Sequence, residues 1–420
     1  MEQLKQQLRA EGIAYRENEP LAAHCTFKIG GPADVFARPE TEEQLCRTIA
    51  LCRECGVKYY LLGNGSNILF EDAGYRGVVI DTTALKMGIG ILENVCHPGA
   101  APGDVYDAVA AGAGLKLSAL CAAALENGLT GLEFAYGIPG TVGASVVQNI
   151  GAYGQEVATS VDSVEVWDRK ERAVKALRND QLAFGYRMSA LKASMYSAPA
   201  TPAAEFFPTP RYVVLSVTFA LRHSDTGVVG YGQLAKALDV AVGDRMNTAD
   251  IRNAVLKVRA AKGMLEDAHR YASPAMQGTK KTNLVDVALE SQSKQNGDDG
   301  PDFNRHSCGS FFMNPILTPQ QAETLPEDAP RFDAALPGGG QGVKTSAAWL
   351  IDHAGFHKGF KINENAPAGL STLHTLALTN RGGASAEDIA RLAKTVQDGV
   401  EAAFGIRLVP EPVVIGMNLK

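Results

Sequence analysis

The stretch that most limits what this chain can become runs from residue 131 to residue 154, where six of 24 residues are glycine. Glycine gives up more backbone freedom on ordering than any other residue, so it weakens helix and strand interiors alike. Gly131-Leu132-Glu133-Phe134-Ala135-Tyr136-Gly137-Ile138-Pro139-Gly140-Thr141-Val142-Gly143 and Gln148-Asn149-Ile150-Gly151-Ala152-Tyr153-Gly154 are therefore not expected to form a regular helix or a continuous strand. Two readings stay open. The run is a set of tight turns where two domains cross, or it is backbone laid against a flat ligand, with Tyr153 as an aromatic flank.

A second glycine loop, Gly63-Asn64-Gly65-Ser66-Asn67, lies between two apolar runs of β character. Its backbone N–H groups and the Ser66 hydroxyl suit an anion nest, with a pyrophosphate as the natural guest. A Rossmann fingerprint needs a third glycine and a helix directly after it. A β-rich run follows instead, so the loop is either such a strand–turn–strand site or a hairpin turn.

At 420 residues, with 45% hydrophobic and 20% charged residues, the chain is sized for two or three domains. Its net charge of −6 argues against a general nucleic-acid binder, since no basic excess exists to neutralise phosphates. Residues 1–11 form a charged amphipathic helix without a signal-type apolar core. Asp107 and Lys116 interrupt the most apolar stretch, residues 105–125, which excludes a membrane span there. A cytoplasmic, monomeric protein is expected. The seven scattered cysteines do not suggest a disulfide framework. Cys52 and Cys55 form a C-x-x-C on helical spacing with no second pair and no paired histidine, so they read as structural thiols and no metal is expected.

Alternation of helix and strand signals predicts an α+β chain. Strands are expected at 35–37, 57–62, 68–70, 78–80, 161–167, 173–176, 212–221, 375–378 and 412–415. Helices are expected at 42–55, 105–125, 250–262, 345–354 and 385–404, the last capped by Ser385 with Glu387 and Asp388 in its first turn. Residues 268–304, rich in Ser, Gln, Lys, Asn, Asp and Gly, read as a mobile surface insertion.

Several motifs, weak singly, recur in a fixed order over nearly the whole chain. They are Thr26-Phe27-Lys28-Ile29-Gly30-Gly31-Pro32-Ala33, the loop at 63–67, Gly137-Ile138-Pro139-Gly140-Thr141-Val142-Gly143 and Asn149-Ile150-Gly151-Ala152-Tyr153-Gly154. Tyr186-Arg187-Met188-Ser189, Gly309-Ser310-Phe311-Phe312-Met313-Asn314-Pro315, Ala347-Ala348-Trp349-Leu350-Ile351-Asp352 and Pro410-Glu411-Pro412 follow. In this order they resemble the UDP-N-acetylenolpyruvoylglucosamine reductase family, in its subclass with a tyrosine loop.

The resemblance implies a two-domain FAD-binding fold of the vanillyl-alcohol-oxidase type plus a C-terminal α+β substrate-binding domain. The lobes would be 1–81, joined by a returning strand in 406–420, then 82–247, then 248–405. It implies reduction of UDP-N-acetylglucosamine enolpyruvate to UDP-N-acetylmuramate in peptidoglycan precursor synthesis, with NADPH as co-substrate. FAD would be held by Gly63, Asn64, Gly65, Ser66, Asn67, Ile138, Pro139, Gly140, Gly143, Ala144, Val147, Gly151, Tyr153 and Arg259. The 63–67 loop has no His or Cys, so the FAD is expected to be non-covalent. Ser310 would be the general acid, Arg187 would hold the substrate carboxylate, and Glu411 would complete the polarising group. Tyr231, Lys262, Asn314 and His374 would contact the sugar nucleotide, with His374 standing where some relatives carry Gln. Phe332 falls near a position where others have Tyr. The stretch from Lys262 to Ser310 is longer than in the family pattern. A flavin oxidase of the same superfamily, or a non-catalytic flavin-binding module, would share the loops but leave Ser310, Arg187 and Glu411 without roles.

Overall fold

The computed structural model describes residues 1–97, 100–196, 207–279 and 301–419. The N-terminal lobe is a four-stranded sheet in the order Ala14–Pro20, Pro32–Arg38, Tyr75–Asp81, Tyr59–Leu62. The first pair is antiparallel and the other two are parallel. Parallel pairing needs a crossover, and helix Glu42–Glu54 supplies it, with the Thr41 hydroxyl accepting from the Gln44 amide at 3.1 Å. Cys52 is buried in this helix, and burial pushes its thiol up to about 12.

The middle lobe is an antiparallel sheet ordered Ala173–Arg178, Val161–Asp168, Tyr212–His223, Tyr106–Gly112, Ile89–Val95, with Leu129–Thr130 pairing the end of Tyr212–His223. The continuous helix expected over 105–125 is not formed. Strand Tyr106–Gly112 and helix Leu117–Glu126 share that span. Its alanines favour helix, but Asp107, Val109 and Ala111 alternate into the interior and both edges of the strand are paired. Tertiary pairing outweighs propensity here, and Ala113-Gly114-Leu115-Lys116 separates the two elements. The glycine run also departs from expectation at one place. Gly143 is the one glycine among residues 142–148, and a two-turn helix, Val142–Gln148, forms around it, which Thr141 caps and Asn149 ends at φ 48°.

In the C-terminal lobe, helix Ala386–Phe404 and helix Ala347–His353 pack on the paired strands Ala368–Leu370 and Leu378–Asn380 and on a three-stranded sheet. Ser385 caps the long helix as predicted, and its first amide, Ala386 N–H, donates to Asp72 of the N-terminal lobe at 3.0 Å. Strand Val413–Ile415 returns to pair in parallel with Ile68–Phe70. One core therefore joins Phe27, Phe70 and Ile68 to Phe311, Leu350, Leu392 and Val414. Helix Thr248–Ala261 packs against the middle sheet through Ile251, Ala254 and Val255.

The polar insertion is not free of the body along its whole length. Residues Ala268–Ala272 and Pro274–Met276 form one-turn helices, and Ala268, Arg270 and Met276 are buried. Asp302 and Arg305 are buried at the other root, where Arg305 donates to the Glu266 carbonyl at 3.3 Å. The roots carry charges that pair inward, which composition alone does not reveal. The part of the expected insertion at 280–300 lies outside the described residues.

Candidate functional site

The 63–67 loop links Tyr59–Leu62 of the four-stranded sheet to Ile68–Phe70. These two strands do not pair with each other but enter different sheets, so the loop is not a hairpin turn. Opposite it stand the turn before residue 142 and helix Val142–Gln148. A cleft of about 1050 Å³, counting its open mouth, lies between them. Gly63, Asn64, Gly65, Ser66, Asn67, Gly140, Gly143, Ala144 and Val147 line it. Ile138 and Pro139 lie behind this wall, where the Pro139 carbonyl accepts from the Asn64 side chain at 3.0 Å. Gly151, Tyr153 and Arg259 do not line it, and Arg259 faces the Tyr153 hydroxyl.

The glycines serve different ends. A Cβ on Gly140 would meet nothing within 4 Å, so this position faces open space. A Cβ on Gly65 would lie 2.0 Å from the His24 carbonyl oxygen, and the residue holds φ +65°. Gly65 is thus required by the chain behind the loop rather than by close approach of a ligand. Gly65→Ala is expected to push the loop into the cleft and strip flavin from the purified protein. The ratio of absorbance at 450 nm to 280 nm checks this, and a fully yellow variant would contradict it.

The residues present fit FAD. The loop offers turned backbone next to a hydroxyl for a diphosphate, and Leu191, Met195, Tyr212 and Val214 give the cleft apolar walls. Among the lining residues there is no His or Cys to form a covalent flavin bond.

At the Gln148 end of the cleft Arg187 and Glu411 meet from distant parts of the chain, and the backbone runs the Ser310 segment alongside Glu411. Arg187 Nε donates to Glu411 Oε1 at 2.9 Å, and Gln148 Nε2 donates to the same oxygen at 3.2 Å. Arg187 Nη2 donates to the Gly151 carbonyl at 2.8 Å. The Glu411 amide donates to the Phe311 carbonyl at 2.8 Å, which brings the residue next to Ser310 beside Glu411. The Ser310 hydroxyl has no hydrogen-bond partner among the described residues, so it is available to a bound molecule. Arg187 holds φ 55°, a conformation that costs a non-glycine residue about 1–2 kcal/mol. Lys192 maintains it: its buried ammonium donates to the Arg187 carbonyl at 2.9 Å and also lines the cleft. Burial lowers Lys192 to about 8, against the pull of Glu411.

A second, cationic cluster gathers Arg259, Lys262, His374 and Lys358. Burial first, then Lys262, Lys358 and Arg259, lower His374 to about 4. The imidazole is therefore neutral near pH 7. Lys262 is lowered by burial and by Arg259 and Lys358, and its ammonium donates to Gln233 at 2.7 Å. Tyr231, 44% exposed, places its ring 6.2 Å from that of Tyr153. Asn314 ties the lobes: its side-chain oxygen accepts from the Ala347 amide at 2.9 Å, and its own amide donates to the Tyr186 hydroxyl at 3.3 Å. Phe332 opens the exposed strand Phe332–Ala335, itself 52% exposed.

Sequence reasoning missed Lys192, Lys358 and Gln148. A lone lysine or glutamine reads as a solvated residue, and only the fold shows that Lys192 and Gln148 are drawn inward and that the exposed Lys358 stands beside Lys262 and His374. For Lys192 there was one signal, a cation three residues into an apolar turn that Ser189 caps.

Two family descriptions match the chain. Residues 33–177 match an FAD binding domain. Residues 301–415 match the C-terminal domain of UDP-N-acetylenolpyruvoylglucosamine reductase. A curated UDP-N-acetylenolpyruvoylglucosamine reductase from Cutibacterium acnes is 39% identical over 404 residues, covering 96% of this chain and 91% of that protein. The one from Thermobifida fusca is 36% identical over 416 residues, covering 97% and 99%. The crystal structure of UDP-N-acetylenolpyruvylglucosamine reductase from Thermus caldophilus shares the fold, with a TM-score of 0.52 at 22% identity over 96% of this chain and 98% of that one. With ordered motifs, an FAD-binding domain and near full-length relatives in agreement, the chain belongs to the UDP-N-acetylenolpyruvoylglucosamine reductase family.

Proposed function

We propose that this protein reduces UDP-N-acetylglucosamine enolpyruvate to UDP-N-acetylmuramate at the expense of NADPH, with FAD held non-covalently in the cleft. The observation that carries this reading is the Arg187–Glu411 pair, set beside Ser310 at the end of the cleft. FAD supplies the hydride chemistry, which no protein side chain offers. The remaining work falls to the chain.

Arg187 receives the substrate carboxylate. Of the five N–H donors of a guanidinium, two are committed to Glu411 and the Gly151 carbonyl. The other three remain for the carboxylate as negative charge accumulates next to it. Glu411 acts here as an acceptor from both Arg187 and Gln148, so it fixes the guanidinium plane. Ser310 Oγ delivers the proton to the carbon adjacent to the reduced methylene. Serine is a weak acid, but the carbanion it quenches is a strong base. Arg259, Lys262, Lys358 and the neutral His374 receive the diphosphate and sugar, and Tyr231 covers them. Asn64 contributes to the cofactor loop through its backbone, since its side chain is engaged elsewhere.

The three-lobe division is kept, with helix Thr248–Ala261 seated on the middle lobe. We place the protein as a cytoplasmic monomer. Among the described residues no helix is long and apolar enough to cross a membrane.

The deciding experiment is spectral. Purified protein should be yellow, bleach on anaerobic addition of NADPH, and recover its colour when the enolpyruvyl sugar nucleotide is added. Boiling or acid should release all the flavin. A flavin that oxygen reoxidises and the sugar nucleotide does not would overturn the assignment in favour of an oxidase.

A further inference from the structure

Asn64 is 4% exposed, and the chain uses its side chain completely. Its Nδ2 donates to Glu266 Oε1 at 2.9 Å and to the Pro139 carbonyl at 3.0 Å. Its Oδ1 accepts from the Lys116 ammonium. Its backbone carbonyl accepts from Arg270 Nη1 at 3.2 Å and Nη2 at 3.3 Å. Arg270 also donates to Glu266 at 2.8 Å, and the Tyr271 hydroxyl donates to both Glu266 oxygens at 3.0 Å.

One residue of the cofactor loop is thus gripped from behind by segments around residues 116, 139 and 266–271. Lys116, Glu266 and Arg270 are all at most 7% exposed, and none lines the cleft. Buried charges survive only when paired and hydrogen-bonded, and here the pairing is unequal. Two cations face one carboxylate. Asp81 also acts on Lys116, but its carboxylate is bonded to Arg38 at 3.2 Å. The cluster carries an excess positive charge directly behind a loop whose backbone faces the cleft. At low local dielectric such a charge acts strongly on an anion across the loop.

We propose that Lys116, Glu266 and Arg270 form a clasp, closed on Asn64, that positions the cofactor loop and supplies buried positive charge for the diphosphate of FAD. These are positioning residues, since they act through Asn64 and do not touch the cofactor. The clasp gives the root of the insertion a task in retaining the cofactor, and it rests on the placement of FAD in the cleft. Desolvation lowers Lys116 to about 8. An arriving diphosphate favours its charged form.

The test uses the full-length holoenzyme. FAD release after dilution is followed by flavin fluorescence, and the midpoint potential of bound flavin is measured alongside. Lys116→Met and Arg270→Met should each release FAD at least tenfold faster, with the potential of the flavin still bound unchanged. Lys116→Arg and Arg270→Lys keep the charge and should stay within threefold of the parent. Glu266→Gln removes a negative charge while keeping the shape, so it should release FAD no faster than the parent. Unchanged release from folded methionine variants would overturn the proposal. So would charge-keeping variants as leaky as the methionine ones, or faster release from Glu266→Gln. Should the methionine variants not fold, the Lys116→Arg, Arg270→Lys and Glu266→Gln results decide the matter alone. A colourless parent protein would instead remove FAD from the cleft and with it the assigned reaction.

Discussion

Ser310→Ala is expected to leave bleaching of the flavin by NADPH at its normal rate and to slow recovery of the colour by substrate about a hundred- to ten-thousand-fold, the range typical of a general acid. That loss corresponds to about 3–5 kcal/mol of transition-state stabilisation. The geometry explains why the two halves should separate. The Ser310 hydroxyl bonds to no described residue, so its removal breaks nothing inside the protein. Its neighbours are held independently, by Phe311 N–H on the Leu376 carbonyl at 2.8 Å and by Glu411 N–H on the Phe311 carbonyl. The variant should fold, keep FAD and reduce it. Stopped-flow absorbance at 450 nm, taken first with NADPH alone and then with the enolpyruvyl sugar nucleotide, reads each half separately. Equal slowing of both halves would remove Ser310 from proton delivery and make it a structural residue.

How far such roles can be seen in sequence differs from element to element. Helix Ala386–Phe404 was legible to its cap, because Ser385, Glu387 and Asp388 are local signals for a local event. The 63–67 loop was legible as a turn between two β runs, but its residues left a nest and a hairpin both open, because nothing local shows that the flanking strands part into different sheets. The span 105–125 was misread because alanine favours helix while two neighbouring strands, far away in sequence, claim the segment. The insertion was misread at its roots because Arg270 and Arg305 have ordinary surface composition and reveal themselves only through partners such as Asn64 and Glu266. Buried lysines share that property. Lys116 and Lys192 matter through what surrounds them, and no spacing rule announces it. Motif order conveys position along the chain, whereas charge pairing across lobes belongs to the folded state.

Arg187→Lys should be about a hundred- to a thousandfold slower in the substrate half-reaction, comparable to loss of one preorganised donor to a developing negative charge. The substitution keeps the charge, so any large effect isolates geometry. Arg187 reaches two acceptors in its plane, Glu411 Oε1 through Nε and the Gly151 carbonyl through Nη2. These two bonds orient the remaining N–H groups as a planar fork, and a fork matches a carboxylate bidentately. An ammonium is a point charge at the end of a flexible stem. It can satisfy Glu411 or the substrate, but it cannot hold a plane between them. Removing the guanidinium also leaves Glu411 with Gln148 as its remaining side-chain donor. An ammonium that turns to Glu411 leaves the carboxylate of the incoming substrate without its paired donors. Both effects act on substrate rather than on NADPH, so the apparent affinity for the enolpyruvyl compound should weaken along with the rate, while the NADPH half stays intact. Lys192 still holds the carbonyl of residue 187 in the variant, so the backbone should not relax to rescue the geometry. Near-normal turnover of Arg187→Lys at saturating substrate would mean that charge alone suffices, and the fork would have no part in the mechanism.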